Sequence, residues 1–172
     1  GTNYTMGGTV ASQAGIPLYT PSSGNSMSGV DLFLPGVKTI GDLLKSQEYY
    51  LTFYGGASLN YAGKGKFYKT HSFDEIHGVS SLRKQIKDNE LVTNNWGLYD
   101  KDLLNLAFDK YINLSETKDN FALFLLTIGT HHPSGHYKTN IKYKDGTNEM
   151  LNSVASSDYL ISKFISEILE SS

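Results

Sequence analysis

Two adjacent histidines and a proline follow the most apolar segment of the chain. The segment reads FALFLLTIGTHHPSG, so His131 and His132 come directly after its apolar part. An imidazole at such a place can donate a hydrogen bond to a phosphoryl oxygen, carry a proton or bind a metal ion. Pro133 has a fixed φ and biases the preceding residue towards an extended backbone, which stiffens the turn. From residue types alone, a functional loop and a merely solvated loop both stay open.

A threonine precedes the first helical pattern of the chain. Thr2 is predicted to cap a helix over residues 3–13, which Gly15 and Pro17 end. The unpaired amides and the positive dipole end of a helix start favour an anion. A threonine hydroxyl at that place can also attack phosphorus or sulfur when a metal or a base activates it. Capping is the far commoner use, so spacing alone favours it over catalysis.

A short glycine–lysine repeat supplies two positive charges. Residues 63–66 read GKGK, and their spacing excludes the phosphate-binding loop of nucleotide hydrolases. Lys64 can still hold a phosphate by charge, although a solvated basic loop is the simpler interpretation. The acidic and histidine residues that follow match no metal-ligand spacing, and we interpret them as surface or structural groups: His71, Asp74, Glu75 and His77.

Two segments have the composition of strands, and each precedes one set of these candidate groups. Tyr49–Gly56 is aromatic and ends in a glycine turn just after Tyr54. Phe121–Gly129 is apolar on both faces, which is typical of a parallel strand covered on both sides.

Helical patterns alternate with these strands. Thr39 and Asp42 form a capping box before a short helix, SLRKQIKDN is amphipathic, and Asp100 is the expected cap of a longer helix. Residues 18–37 have the composition of a loop. The last helix runs from about Asn148 to Glu170, and one of its faces carries an apolar stripe: Leu151, Val154, Ile161, Phe164, Ile165 and Ile168.

The alternation of helices and strands predicts a doubly wound α/β fold. Ligands of such folds bind at the carboxyl ends of the strands. The turn after Tyr54 and the segment Thr130–Pro133 are therefore expected at one rim of the sheet, with the start of the first helix facing it.

Composition sets limits on the function. The chain has 172 residues, a net charge of −2 and no cysteine, so disulfides, a thiolate nucleophile and cysteine-bound metal are excluded. The charge gives no reason to expect a nucleic acid as partner. The longest apolar run is too short to cross a membrane. Because residue 1 is not Met, we expect a piece of a longer protein whose membrane anchor lies outside these residues.

Four segments, in order, resemble the sulfatase-type phosphoglycerol transferases of the alkaline phosphatase superfamily. They read TNYTMGGTVASQAGIPL, FYGGASLNYAGKGKFYKTHSFDE, NNWGLYDKDLLNLAF and TIGTHHPSG. The branch that modifies periplasmic glucans is most similar, and lipoteichoic acid synthase is more distant. The resemblance implies a three-layer α/β/α fold with a mainly parallel sheet. Residues 1–172 would then be the central part of the catalytic domain, without the flanking strands that carry further metal ligands.

The resemblance also implies a site. Thr2 matches the family's nucleophile, which binds a divalent metal, usually manganese; Thr5 is the alternative if the register is shifted. His131 matches the histidine that contacts phosphoglycerol. Tyr54 stands where the synthases have histidine, and we expect Tyr54, Lys64 and His132 to contact substrate.

The implied reaction moves phosphoglycerol from a phosphatidylglycerol-type lipid to a glucan or another polyol. It would take place on the periplasmic or extracellular face of the bacterial membrane. Since the other metal ligands would lie outside these 172 residues, we expect this piece to be inactive and to bind manganese weakly or not at all. Sulfate-ester hydrolysis, phosphoethanolamine transfer and a non-catalytic binding domain are the alternatives, although the C/S-x-P-x-R motif of sulfatases is absent.

Overall fold

A computed structural model describes residues 4–20, 27, 29–86 and 93–171. The chain forms two compact units, each built from three separate stretches. The first comprises Gly1–Phe53, Leu59–Ile76 and Asp119–Phe124, and the second comprises Tyr54–Ser58, His77–Lys118 and Leu125–Ser172.

Three strands form one sheet among the described residues: β1 (Tyr50–Gly55), β2 (Glu75–His77) and β3 (Phe121–Leu126). Their spatial order is β2-β1-β3. The Tyr50 amide donates to the Asn120 carbonyl, and the Gly56 amide donates to the Leu126 carbonyl. Residue numbers therefore rise together along β1 and β3, which is parallel pairing. The prediction of an α/β fold with a parallel sheet is confirmed.

β3 is less covered than its composition predicts. All six of its residues are half-buried, whereas five of the six residues of β1 are buried. The reason is its place in the strand order, because β3 stands at the end of the described sheet and β1 at its centre. The expectation of a strand fully covered on both faces was wrong.

In the first unit, α1 (Thr5–Ala14) ends at Gly15, which adopts the left-handed φ of 70° as predicted. The expected start is wrong, because Tyr4 and not Thr2 is the N-cap residue. Thr2 itself lies outside the described residues. The core of this unit is aromatic and aliphatic and includes Met6, Val10, Phe33, Leu51, Phe53 and Phe67.

The capping box before α2 (Ile40–Lys45) is confirmed, since Thr39 and Asp42 exchange both hydrogen bonds. Asp42 also accepts from Nδ1 of buried His71 at 2.8 Å, and Nε2 of that ring lies 3.1 Å from the Phe33 carbonyl. Burial raises the pKa of Asp42, but hydrogen bonds from Thr39 and His71 outweigh it and hold the pKa below its usual range. His71 is therefore a structural group, as interpreted.

Three α-helices lie among the described residues of the second unit. They are α4 (Val79–Leu82), which continues as a 3-10 turn over Arg83–Gln85, α5 (Asp100–Thr117) and α6 (Glu149–Glu170); α3 (Lys64–Thr70) belongs to the first unit. Tyr99 is the N-cap residue of α5, so the prediction that Asp100 caps this helix was wrong. Asn148 caps α6 by accepting from the Leu151 amide. No described helix is long and apolar enough to cross a membrane.

α6 turns a polar face inward. The buried residues are small and polar: Asn152, Ser153, Ser156 and Ser157. Four members of the apolar stripe are instead 40–50% exposed: Leu151, Val154, Ile161 and Ile165. The buried polar groups have partners, because Asn152 accepts from the Tyr143 amide at 2.9 Å and donates to the Gly146 carbonyl at 2.8 Å. Hydrogen bonding, not apolar periodicity, therefore decides which face is inside.

Candidate active site

The loop after β3 is held by a buried carboxylate. Asp100, 3% exposed at the first turn of α5, accepts hydrogen bonds from the backbone amides of Ile128 and Gly129, each at 2.9 Å. Its other oxygen accepts from the Ser157 hydroxyl of α6 at 2.8 Å. One side chain thus ties two helices to the residues that immediately precede Thr130.

Gly129 is required at this anchor. A Cβ there would collide with the carboxylate of Asp100 and lie 2.7 Å from the Ser157 hydroxyl oxygen. The loop then closes on itself, because the His131 amide donates to the Ile128 carbonyl and the His136 amide donates to the Gly129 carbonyl. The backbone around His131 is therefore fixed on both sides.

The ring of His131 lies in an aromatic stack. Its centroid is 3.8 Å from that of Trp96, with 28° between the planes, and 4.5 Å from that of His132. Nδ1 of His131 lies 2.7 Å from the His132 carbonyl oxygen and donates to it. In the neutral ring this leaves the lone pair on Nε2, which is the nitrogen that can take up or release a proton.

A third histidine lies beside this stack. The ring centroid of His136 is 6.3 Å from that of His131. Burial and the nearby charge of His131 lower the pKa of His136, so the neutral ring is favoured. Within the described part of the chain, its buried Nε2 has no hydrogen-bond partner.

Trp96 was missed as a site residue. It sits in a turn where the Asn94 side chain accepts from the amides of Trp96 (2.7 Å) and Gly97 (3.2 Å). Gly97, at φ +151°, lies so close to Gly56 that a Cβ there would overlap the Gly56 carbonyl oxygen. The Leu98 amide also donates to that oxygen. The turn is therefore fixed to the end of β1, and the NNWG segment was the available sequence clue.

Tyr54 lies at the carboxyl end of β1 and is 3% exposed. Its ring meets that of His77 edge to face, with the centroids 5.1 Å apart. The expected contact of Tyr54 with substrate stays a prediction.

Lys64 of the first unit is buried, contrary to the interpretation as a solvated loop. It is the first residue of α3 and 1% exposed, and its Nζ lies 4.5 Å from the centroid of the Tyr61 ring. Burial lowers the pKa of Lys64 to about 8. The expected role of Lys64 in binding phosphate stays a prediction. Its side chain belongs to the first residue of a helix.

Thr5 is the first residue of α1 and is half-buried, and the Thr9 hydroxyl donates to its carbonyl at 3.0 Å. The N-cap position that the sequence assigned to Thr2 is occupied by Tyr4, directly before Thr5. Among the described residues, no group of three or more histidine and acidic side chains is arranged to hold a metal ion.

Sequence comparison identifies relatives along almost the whole chain. The profile of the Sulfatase family matches residues 4–172. Phosphoglycerol transferase I of Escherichia coli O127:H6 (strain E2348/69 / EPEC) is 40% identical over 98% of this chain. Its namesake in Salmonella arizonae (strain ATCC BAA-731 / CDC346-86 / RSK2980) is 39% identical over the same share. The chain spans only 22% of the length of these relatives.

Comparison with solved structures also finds similar proteins. A protein of the alkaline phosphatase superfamily from Vibrio parahaemolyticus superposes with a TM-score of 0.65 at 26% identity, covering 95% of this chain and 38% of the other. The lipoteichoic acid synthase LtaP from Listeria monocytogenes gives a TM-score of 0.74 at 16% identity, covering 99% and 41%. The second likeness shows a shared fold. Together with the family match, these findings confirm the resemblance drawn from the sequence motifs.

Proposed function

Because the chain belongs to the sulfatase family, we propose that it is part of a transferase that moves phosphoglycerol from a phosphatidylglycerol-type lipid to an acceptor hydroxyl. The observation that carries this proposal is the 40% identity to phosphoglycerol transferase I over 98% of the chain. The relatives are much longer, so the activity is proposed for the full-length protein. Its proposed location is the outer face of the bacterial cytoplasmic membrane, with the anchor elsewhere in that protein.

The first step uses a threonine oxygen at the head of α1. The oxygen of Thr2 or Thr5 attacks phosphorus, the bond from phosphorus to the diacylglycerol oxygen breaks, and the threonine proton passes to a base. The products are diacylglycerol and a phosphoglycerol–threonine ester. The position of Thr5 as first residue of α1 supports that residue, because free amides at a helix start favour the phosphoryl charge.

His131 is proposed as the group that handles the proton of the leaving and entering alcohols. Nε2, protonated at the start of the reaction, gives its proton to the departing diacylglycerol oxygen. The neutral ring then takes a proton from the acceptor hydroxyl, which attacks phosphorus, and the departing threonine oxygen regains the proton that the base had taken. The hydrogen bond from Nδ1 to the His132 carbonyl supports this role, since it orients the ring. His132, Tyr54 and Lys64 are proposed substrate contacts.

A divalent metal, when bound, would stabilise charge on the phosphoryl group and activate the threonine hydroxyl. The described residues do not form a metal site of their own. Manganese with Thr2 as one ligand therefore stays a prediction.

One observation favours a second candidate, a sulfatase-like domain that binds without catalysis. Tyr54 is buried and stands where the related synthases have histidine, so one substrate contact of the family is altered. A phenol still donates a hydrogen bond, which keeps transfer as the leading proposal. The absence of cysteine disfavours a sulfatase that depends on a modified cysteine.

The proposal is tested by incubating the full-length protein and manganese with phosphatidylglycerol vesicles and measuring diacylglycerol release. We expect release that His131→Gln reduces at least a hundredfold, in line with the loss of a general acid–base group. Thr117→Ala, at the exposed end of α5, is the matched control and should leave the rate unchanged. Binding of vesicles without any release would favour the non-catalytic candidate.

A further inference from the structure

A pocket of about 330 Å³ lies between α5 and α6 in the second unit. Its walls come from residues 101–105 of α5, residues 159–167 of α6 and residues 138–140 of the loop between β3 and α6. Each wall contributes one lysine, and we call the site the lysine pocket: Lys101, Lys163 and Lys138. None of its described lining residues takes part in the proposed transfer.

The lysine pocket is positive although the chain as a whole is not. The 172 residues carry a net charge of −2. The described lining holds three lysines and one carboxylate, that of Glu167, which leaves an excess of two positive charges. The Glu167 carboxylate lies 3.2 Å from Nζ of Lys163, four residues earlier in the same helix. Because a concave site lined by one sign of charge concentrates its field, the pocket favours an anion.

The uncharged groups of the lining indicate which kind of anion fits. The side-chain amides of Asn105 and Asn140 and the hydroxyl of Tyr159 can donate hydrogen bonds to oxygen. Leu104 and Phe164 add apolar surface. A phosphate ester matches both properties, because its charged oxygens accept from ammonium and amide groups while its carbon chain contacts the apolar side chains. The volume is at the lower end for small-ligand pockets, which suits a group as small as glycerol phosphate.

Hydrogen bonds hold the three walls of the pocket together. The Ser157 hydroxyl of α6 donates at 2.8 Å to Asp100 of α5, the residue directly before Lys101. The Thr139 hydroxyl, in the third wall, donates to the hydroxyl oxygen of Ser156 of α6 at 2.8 Å. Both serines are buried. The backbones that carry the lysines are therefore fixed before a ligand binds, which lowers the cost of ordering the site.

We propose that the lysine pocket binds a phosphate ester. Two sources present this chemistry at a membrane surface, the headgroup of an anionic phospholipid and a soluble glycerol phosphate. The inference goes beyond the proposed transfer and does not depend on it, because it uses only the charge, the hydrogen-bonding groups and the volume of the pocket.

The first experiment measures the affinity for glycerol 1-phosphate by isothermal titration calorimetry of the full-length protein in detergent, with EDTA present to remove divalent metal. We expect saturable binding that weakens as salt is added. Lys101→Gln should weaken it about fivefold, the upper range for an exposed ion pair. Glu167→Gln should strengthen it, because the variant removes the negative charge of the lining. Lys84→Gln, an exposed lysine outside the pocket, is the matched control and should leave the affinity unchanged.

A second experiment identifies the source of the ester. Native mass spectrometry of the same variants counts bound phosphatidylglycerol, with diacylglycerol as the comparison that lacks the phosphate. Loss of phosphatidylglycerol binding in Lys101→Gln assigns the site to the lipid headgroup. Loss of glycerol 1-phosphate binding alone assigns it to the soluble ester.

Two results would overturn the proposal. One is that Lys101→Gln and Lys84→Gln bind glycerol 1-phosphate and phosphatidylglycerol equally. The other is weaker binding in Glu167→Gln, since a pocket that selects an anion gains from removal of this carboxylate. Diacylglycerol release by the unaltered full-length protein is scored separately, and its absence would refute the transferase proposal only.

Discussion

Asp100→Ala is expected to lower the free energy of unfolding by about 3–6 kcal/mol. Asp100 accepts from the amides of Ile128 and Gly129 at 2.9 Å each, and hydrogen bonds to a charged acceptor contribute roughly 1.5–3 kcal/mol apiece. Without the carboxylate, both amides stay buried with no acceptor, whereas the hydroxyl of Ser157 can rotate towards another partner. The loss is large against a typical total stability of about 5–15 kcal/mol.

Asp100→Asn keeps the shape of the side chain and removes its charge. The amide keeps one oxygen acceptor and offers an N–H₂ group to the Ser157 hydroxyl, which can accept. We therefore expect a loss of about 1–2 kcal/mol, since the two backbone bonds survive without charge assistance. Asp109→Ala, an exposed carboxylate on the same helix, is the matched control and should change stability by no more than about 0.5 kcal/mol.

The stability of all three variants is measured by urea unfolding followed by circular dichroism. The midpoints are compared where the slope of the free energy of unfolding against urea concentration is unchanged. The His131 ring is followed in parallel by NMR, because release of the loop in Asp100→Ala should alter its chemical shift, whereas Asp100→Asn keeps both backbone bonds and should alter it little. Asp100 does not anchor the loop if Asp100→Ala costs no more stability than Asp109→Ala, or if the His131 resonance is unchanged in Asp100→Ala.

Three further predictions use the same unfolding assay. Ser156→Leu on the buried face of α6 should cost about 1–3 kcal/mol by overpacking, whereas Ile165→Ser on the exposed face should cost no more than about 0.5 kcal/mol; equal costs would contradict the orientation of α6. Because burial lowers the pKa of His136 from 6.5, the unfolded chain takes up its proton first, so stability should fall as pH drops below about 6.5. His136→Gln should weaken this dependence of stability on pH. If the dependence is the same in the variant, another group causes it. Burial likewise lowers the pKa of Lys64 from 10.5 to about 8, so the unfolded chain binds more protons between these values and stability should rise with pH across them. Lys64→Met should remove this rise, and its persistence in the variant would show that another group causes it.

Features that depend on residues close together in the sequence were predicted correctly. The capping box of Thr39 and Asp42 and the left-handed stop at Gly15 each depend on residues within a few positions of one another. β1 was found for the same reason, because aromatic composition followed by two glycines is a local pattern. Such features give the class of the fold without its packing.

Features that depend on distant partners were misread. Asp100 was predicted to cap a helix. Its carboxylate oxygens instead accept hydrogen bonds from amides 28 and 29 positions away and from a hydroxyl 57 positions away. The same hydrogen bond from α6 draws its serine-rich face inward, although the apolar periodicity of this helix would favour burial of another face. Lys64 was expected in solvent because a lysine between glycines has no local reason to be buried. Trp96 has no periodic pattern, and only its contact with His131 reveals its place in the site.

In the proposed reaction, Thr2 or Thr5 carries the phosphoglycerol group. This step is tested most directly by mass spectrometry of the full-length protein, quenched during turnover of phosphatidylglycerol in the presence of manganese. We expect a phosphoglycerol ester on Thr2 or Thr5, lost when that residue is changed to alanine and retained in Thr117→Ala. Diacylglycerol release with no ester on either threonine, or with the ester on another residue, would contradict it.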